Sequence, residues 1–400
     1  MGTGSLEKIS KMLRLLSAAD KRYARRFRSW NDLPVSCRED LKAFAEAGLV
    51  RDAFNITATS GSTSSRMIIA HSRQAHEAHQ RRLVKLYQLA GVKKGMICLN
   101  LCSYELNSGG RLMEAAFKAA GAGVIPFGPI STPEKVLEAV QLIKMLKPQF
   151  VNAYTNQLFD LFVVLGRKHS IRRCLVNGES LWPEYRKRIE RMGAVHIHDH
   201  YGAMEISGLA VALKPDDEHM RVVADGLLLE VLQDSGEVSA TGVGALLVTD
   251  LDNVSMPFIR YRLGDKVELI RRRGALWIKV LSRTEDSLLI NGVVILKQEL
   301  IRTVNDFVGH PGFFFVIDKH QIQYYDKLLI NVTDGNPQHF KALTQAVVKA
   351  VGMDRCIEVR THQGTIPRTI NGKIKYFFDA RKEKAKAQGP LHLDLRDRAL

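Results

Sequence analysis

Residues 194–208 read Ala194-Val195-His196-Ile197-His198-Asp199-His200-Tyr201-Gly202-Ala203-Met204-Glu205-Ile206-Ser207-Gly208. A strand-like run, Ala194–His198, gives way to an aromatic, a glycine and a carboxylate. In an open α/β sheet, ligands bind beyond the carboxyl ends of the strands. At such an end Tyr201 offers a flat face, Gly202 lets backbone come close, and Glu205 can hold a metal. An ordinary turn has the same composition, so the surrounding chain decides. His196, His198 and His200 alternate and share one face of a strand. Three successive alternate positions do not readily surround one ion, which argues against a metal held by these histidines.

Outward from this stretch, apolar strand-like runs alternate with helical ones. Before it come a strand at Met96–Leu101, a helix at Arg111–Ala120 and a strand at Gly121–Pro126. A helix at Pro133–Leu146, a strand at Phe150–Ala153, a helix at Gln157–Gly166 and a strand at Ile171–Val176 follow, then a helix at Pro183–Met192. Such alternation implies a doubly wound parallel sheet. The pattern also predicts helices over Leu6–Ala18, Asp20–Trp30 and, capped by Ser36, up to Ala47, with a strand over Phe54–Ala58. Gln74–Ala90 reads as an amphipathic helix with His71, His76 and His79 around it, facing solvent rather than ligating. After Val222 the chain becomes short β segments separated by turn residues: Leu227–Leu232, Ala245–Thr249, Phe258–Arg262, Lys266–Ile270 and Leu276–Val280. They predict a small antiparallel, barrel-like module over about 222–281, closing an N-terminal domain of residues 1–283. A small α+β C-terminal domain, 284–382, follows, with a helix near 298–308, strands at Phe313–Asp318, Gln321–Tyr325, Leu328–Val332 and Cys356–Arg360, and a helix at Phe340–Val351. Residues 383–400 form a charged tail.

Composition narrows the function classes. The 400 residues carry a formal net charge of +16, which suits anionic ligands. The basic spots lack the interleaved aromatics of a single-strand binder, which argues against nucleic acid as the main partner. Five cysteines, an odd number without a C-x-x-C pair, suit a reduced, cytoplasmic protein. No apolar run reaches the ~20 residues of a membrane span.

Three further stretches are suited to a nucleotide. Thr59-Ser60-Gly61-Ser62-Thr63-Ser64-Ser65-Arg66 surrounds a glycine with hydroxyls after a strand, and free backbone N–H groups with such hydroxyls cradle phosphate oxygens. Asn177-Gly178-Glu179-Ser180 follows a strand, where a glycine lets a flat base lie on the backbone and Ser180 can cap the next helix. Gly264-Asp265 places a carboxylate after a turn, where it can take both hydroxyls of a ribose. A polar turn, a helix cap and a hairpin aspartate are the plain alternatives.

Taken together and in order, these stretches resemble the adenylate-forming superfamily of acyl-CoA synthetases, adenylation domains and luciferases, and within it the phenylacetate–CoA ligase branch. The likeness runs from about residue 55 to 380. It includes Tyr201–Glu205, Pro257-Phe258-Ile259-Arg260-Tyr261-Arg262 with Gly264-Asp265, a hinge-like Arg283-Thr284-Glu285-Asp286, and Pro367-Arg368-Thr369 followed by Gly372-Lys373. The chain departs from the family pattern at Ser64, Ser65 and Arg66, where Gly and a Lys-Pro or Pro-Lys pair are usual. Met204 replaces a hydroxyl residue and Glu285 a hinge Asp.

The resemblance implies roles. Thr59, Ser60, Gly61, Ser62 and Thr63 bind ATP phosphates. Asn177, Gly178, Glu179, Ser180, Asp199, His200, Tyr201, Gly202 and Met204 frame the nucleotide, and Asp265 takes the ribose. Glu205 holds Mg²⁺, Arg283 reaches the ribose or α-phosphate, and Lys373, on a mobile lid hinged near Glu285, bridges carboxylate and α-phosphate. Tyr104, Asn107, Gly109, Tyr154, Ala203 and Gly208 are pocket candidates for the acid by nearness to the motifs, and His198 or His200 borders it. The implied activity is ATP-dependent conversion of an aryl or arylacetic acid to acyl-AMP, then transfer to the thiol of coenzyme A or of phosphopantetheine on an acyl or peptidyl carrier protein. Transfer of AMP to a small molecule, a non-catalytic nucleotide-binding homologue and a homodimer stay open.

Overall fold

A computed structural model of the chain describes residues 3–24, 27, 29–58, 67–106, 109–178, 181, 183–214, 217–283, 287–290, 293–319, 326–333, 336–351, 356–368 and 374–381. The chain forms two compact units, Met1–Glu285 and Asp286–Leu400.

The first unit begins with helices α1 (Thr3–Ala19) and α2 (Arg38–Glu46), then the antiparallel pair β1 (Asn55–Ala58) and β2 (Ile68–His71). Next come α3 (Arg73–Leu89), β3 (Ile97–Asn100), α4 (Gly109–Ala119), β4 (Gly123–Pro126), α5 (Pro133–Leu146), β5 (Phe150–Ala153), α6 (Thr155–Leu165), β6 (Arg173–Asn177), α7 (Pro183–Gly193) and β7 (His196–Tyr201). The rest is β8 (Ala210–Val211), β9 (Met220–Val222), β10 (Leu227–Leu232), β11 (Val238–Ser239), β12 (Gly242–Asp250), β13 (Tyr261–Arg272) and β14 (Ala275–Arg283).

Local chemistry sets these boundaries. Thr132 accepts from the Lys135 N–H, Pro133 starts α5, and Lys147 ends it in the left-handed region. Ser72 caps α3 through the Ala75 N–H. β5 is buried at every position, as a parallel strand covered on both faces must be. Cys98, Phe150 and Leu175 pack with Leu83, Leu86, Tyr87 and Phe117 of α3 and α4. Leu99, Val151, Val176 and Ile197 pack against α5, α6 and α7 on the other face. The expected doubly wound arrangement is therefore present, with β7-β6-β5-β3-β4 all parallel.

The antiparallel segments do not stand apart from it. Among the described residues they continue it into one twelve-stranded ladder ordered β11-β10-β12-β13-β14-β9-β8-β7-β6-β5-β3-β4. The two short strands expected at Phe258–Arg262 and Lys266–Ile270 differ from the structure: one long β13 starts at Tyr261, and Gly264 with a positive φ absorbs the register shift.

Other expectations are also corrected. Among the described residues of Asp20–Trp30 there is no α-helix. Asp20 caps a short 3-10 turn at Lys21–Tyr23, and a second such turn spans Trp30–Asp32. Buried Tyr23, and Trp30 donating to Glu230 Oε1 at 2.9 Å, pull this segment onto the core and override its helical pattern. Ser36 does not cap α2. Cys37 occupies that position with its N–H on Asp40 Oδ2, while the Ser36 hydroxyl donates to the Ile259 carbonyl. The strand before the opening motif runs on to Tyr201, so Asp199, His200 and Tyr201 lie on β7 itself. His71 and His79 do not face solvent: each is only 1% exposed.

Arg260 is a structural cation. It is 2% exposed, sits at φ 45°, pairs with Glu230 at 2.8 Å and donates to the Asn31 and Leu33 carbonyls. It thereby ties the N-terminal segment to β10.

The second unit contains the antiparallel pair β15 (Ser287–Ile290) and β16 (Val293–Leu296), then α8 (Lys297–Val308), β17 (Phe313–Lys319), β18 (Asp326–Val332), α9 (Pro337–Val351), β19 (Ile357–Thr361) and β20 (Phe377–Asp379). Its sheet is ordered β19-β18-β17-β20. Phe313, Phe315, Ile330 and Val332 pack with Leu300, Val304, Leu343 and Val347 of the two helices. Arg368 and Ile374 form an isolated bridge, and the Lys375 N–H donates to the Pro367 carbonyl, on the flanks of residues 369–373. The strand expected at Gln321–Tyr325 lies outside the described residues.

Gly208 has a packing role. At φ +74° an added Cβ would lie 3.1 Å from Leu83 N and 3.2 Å from Arg82 Cβ. Gly208→Ala therefore meets both backbone strain and α3. It is expected to cost about 1–3 kcal/mol, read as a Tm lowered by several degrees in thermal unfolding.

Candidate functional site

The site grows from the carboxyl end of β7. After Tyr201 the chain reverses in a tight turn in which the Ala203 N–H donates to the Ile206 carbonyl and the Ile206 N–H returns to Ala203, both at 3.1 Å. Met204 and Glu205 stand at its tip. Met204 packs against the core with Tyr201, which gives its thioether a place that a hydroxyl would not fill.

Two buried side chains hold this segment by its carbonyls. His71 Nε2 lies 3.1 Å from the Glu205 carbonyl, so that nitrogen carries the hydrogen. Arg82, fully buried on α3, donates from Nε to the Ser207 carbonyl at 3.2 Å and from Nη1 to the Asp225 carbonyl at 2.7 Å. Below them the His71 and His79 rings meet edge to face at 4.5 Å, and His79 Nε2 is 3.5 Å from Asp250 Oδ2. Burial, then the neighbouring His71, depresses His79 to about 3. Burial pulls Asp250 upward, but hydrogen bonding to His79 and the charges around it leave its carboxyl below the usual range. At neutral pH the cluster therefore holds neutral imidazoles, with Asp250 as the anion facing Arg82. Sequence periodicity missed it because histidine counts as polar. The available signal was His71 at the end of the strand that follows the hydroxyl-rich loop.

The nucleotide candidates converge on the other side of the turn. The Tyr201 hydroxyl donates to Asp265 Oδ2 at 2.6 Å, and Asp265 is 2% exposed. Tyr261, not singled out by itself in the sequence, places its hydroxyl 3.3 Å from Glu205 Oε1. Arg283 stands opposite Asp265 in the β13–β14 register. Tyr201, Asp265 and the backbone of Arg283 lie on strands of one sheet and Glu205 in the turn after β7; spread over 83 positions of sequence, they are linked by the Tyr201–Asp265 and Tyr261–Glu205 contacts.

A second polar row lies on the α3/α4 face. Asn152 donates to Asn100 Oδ1 at 2.9 Å, and Asn177 donates to Asn152 Oδ1 at 3.3 Å. Asn100 also donates to the Tyr104 hydroxyl at 2.9 Å. Asn177 pairs in register with His200. Gly178, at φ +68°, begins the turn after β6. Tyr154 is buried at the start of α6, and Gly109 opens α4. Ala203 is in the tight turn, whereas Gly208 lies against α3 as described. Asp199 is half-buried on β7, and desolvation raises its carboxyl to about 6 against the pull of Arg186. Thr59, Ser60, Gly61, Ser62, Thr63, Asn107, Glu179, Ser180, Glu285 and Lys373 lie outside the described residues.

No family model matches the chain. Its sequence is 26% identical over 297 residues to the phenylacetate-coenzyme A ligase of Thermus thermophilus, covering 68% of this chain and 66% of that one. It is 24% identical over 388 residues to the phenylacetate-coenzyme A ligase of Escherichia coli, covering 89% and 87%. The matched stretch thus spans just under two thirds of the Thermus relative. A crystal structure of 2-hydroxyisobutyryl-CoA ligase in complex with 2-HIB-AMP superposes with a TM-score of 0.78 at 19% identity, covering 96% of this chain and 90% of that one. The anthranilate CoA ligase in complex with anthranoyl-AMP gives 0.59 at 17% identity, covering 84% and 67%. The chain is similar in sequence to phenylacetate–coenzyme A ligases and has the adenylate-forming fold. The resemblance carried by the motifs is borne out, and the class it implies, an acid–thiol ligase, is that of the relatives. Within this phenylacetate–CoA ligase-like frame, the opening motif sits at the junction of the parallel and antiparallel strands. Among the described residues no helix is long and apolar enough to cross a membrane.

Two outcomes follow from this geometry. His71→Leu removes the donor from the Glu205 carbonyl and should leave that buried oxygen unpaired, at about 1–3 kcal/mol. His71→Gln can keep an N–H near the Nε2 position. Thermal unfolding should therefore show a deficit in the leucine variant that the glutamine variant largely restores. Asp199 titrates at about 6 when folded against an ordinary 3.8, so its contribution to stability is full below the ordinary value and is lost as pH rises through about 6. Asp199→Asn should raise Tm at pH 8, with the gain vanishing near pH 4; an equal gain at both would count against the burial.

Proposed function

We propose that the chain activates a small carboxylic acid with ATP and passes the acyl group to a thiol, with coenzyme A the favoured acceptor. The observation that supports the reading is the Tyr201–Asp265 hydrogen bond, near Glu205, at the carboxyl end of β7. The sequence relatives support ligation to coenzyme A. An aryl acid is the substrate implied by resemblance, and a carrier-borne phosphopantetheine is the second acceptor.

In this reading a carboxylate oxygen of the acid attacks the α-phosphorus of ATP. Pyrophosphate leaves with the bonding electrons, and acyl-AMP remains. The thiol then attacks the acyl carbon, AMP departs, and the thiol proton is released. Tyr201 lies against adenine with Gly178, and Asp265 receives the ribose hydroxyls. The hydroxyl-rich loop from Thr59 to Thr63 holds the phosphates. Two anions meet in the first step, so a cation must lie between them. Lys373 takes that role, with Arg283 near the ribose or α-phosphate.

The site also suits Mg²⁺. That ion is commonly held by one or two carboxylates, with phosphate oxygens and waters completing its shell. Glu205, oriented by the Tyr261 hydroxyl, is such a carboxylate, and no cluster of three or more His, Cys, Asp or Glu side chains competes among the described residues. When bound, the ion would offset phosphate charge; Glu205 would hold it, and His71 and Arg82 would fix the turn that presents Glu205.

ATP–pyrophosphate exchange across a panel of aryl and arylacetic acids tests the reading, and silence from a folded protein across the whole panel would defeat it. Lys373→Ala should lower exchange by about 100-fold or more while ATP binding, followed by calorimetry, persists. Undiminished exchange in that variant would remove Lys373 from the mechanism.

A further inference from the structure

The β13–β14 hairpin ends in a basic turn. Arg272 and Ala275 are its last paired residues, and Arg273 and Gly274 form the two-residue connection at φ 50° and 74°. A connection with positive φ at both positions favours Asn-Gly or Gly-Gly. An arginine there is a choice that the local backbone does not favour. Asp265 and Arg271 are both on β13, and at ~3.3 Å per residue they stand roughly 20 Å apart. The turn is therefore remote from the nucleotide candidates.

Beside this turn lies a cavity of about 550 Å³, a size usual for small-molecule sites. Trp30, Leu229 and Leu276 give it apolar walls, and Arg221, Arg271 and Arg273 bring three cations to it. Arg221 faces Trp277 across β9 and β14 and stands 5.7 Å from the centre of the indole, which steadies the guanidinium. Among the described residues none of these three arginines has a carboxylate partner. Glu230 is the one carboxylate among the described lining residues, and it is already taken. Its Oε1 accepts from Trp30 Nε1 at 2.9 Å and from Arg260 Nη2 at 2.8 Å, and its Oε2 from Arg260 Nε at 3.1 Å. The cavity thus carries positive charge that its own wall does not balance. A cleft lined by one sign of charge concentrates counter-ions. One guanidinium fork can saturate a carboxylate, whereas three forks suit a group with several anionic oxygens, as phosphates have.

We infer that this cavity is a second anion site, distinct from the ATP site of the proposed reaction, and that Arg221, Arg271 and Arg273 bind a diphosphate group in it. Inorganic pyrophosphate and a nucleoside diphosphate share that chemistry, and the wall formed by Trp30 and the leucines offers the latter a surface for its base. The inference does not rest on the acid-activation reading, because no residue assigned to ATP lines the cavity.

The test is calorimetric titration of the full chain with inorganic pyrophosphate and, separately, with ADP, at constant ionic strength. The same titrations are made on Asp265→Asn, which weakens the proposed ATP site while keeping a partner for the Tyr201 hydroxyl. Saturable binding of at least one of the two anions should persist in Asp265→Asn. Adding Arg271→Ala and Arg273→Ala together should weaken that binding by about 10-fold or more. Arg271→Lys with Arg273→Lys, which keeps the charge and loses the fork, should weaken it less. Both arginines are exposed, so these variants should unfold at the Tm of their parent, which separates lost binding from lost fold. Tighter binding of ADP than of pyrophosphate would make a nucleotide the occupant, and equal binding would make it the inorganic anion. Affinity unchanged by the double alanine substitution would overturn the inference. So would the absence of saturable binding of either anion in Asp265→Asn.

Discussion

Two carbonyl oxygens, those of Glu205 and Ser207, set the geometry of the proposed site. Each accepts from a buried side chain, His71 or Arg82, that arrives from the β2–α3 segment more than a hundred residues earlier in the chain. Without these donors the reversal after Tyr201 would rest on its own short hydrogen bonds and the core contacts of Met204. The donors in turn need a buried anion nearby, since an arginine taken out of water is costly unless paired and hydrogen-bonded. The largest negative charge acting on Arg82 is Asp250, at the end of β12 on the antiparallel side of the sheet, with Asp225 and Asp252 adding to it. The turn that presents Glu205 therefore depends on both halves of the sheet being in place.

The same joining of halves places the nucleotide candidates. Tyr201 ends the last parallel strand, and Asp265 lies within an antiparallel strand, yet the two are hydrogen-bonded. Short β8 and β9 carry the ladder across the junction. A separate barrel could have kept Asp265 away from β7. A continuous ladder, bent at the register shift near Gly264, brings it back. Arg260, next to Tyr261 in the sequence, does something else: it holds the N-terminal segment against Glu230. One short stretch thus serves both stability and the site, with consecutive residues turned to different tasks.

Much of the first unit was legible from residue pattern. The helix at Pro133–Leu146 has a threonine cap, a proline start and an apolar stripe, and those local signals place it without help. β5 and β6 are short apolar runs with flanking turns, and their burial on both faces follows from alternation with helices. The charged residues from Asp20 to Trp30 suit a helix, whereas Tyr23 and Trp30 are fixed by partners far away in the chain. His71 and His79 escape a pattern reading for a related reason: histidine counts as polar, whereas here a neutral imidazole packs on another imidazole out of water.

The sequence by itself determined the order of the motifs, the alternation that makes a parallel sheet, and the types of side chain a nucleotide site needs. Those properties depend on local propensity and on chemistry carried by each residue. Tertiary structure alone decided that Tyr201 meets Asp265, that Tyr261 meets Glu205, and that His71 and Arg82 hold the turn. Each of these depends on strand register and on which atoms a fold removes from water. Neither is a property of any single stretch of chain.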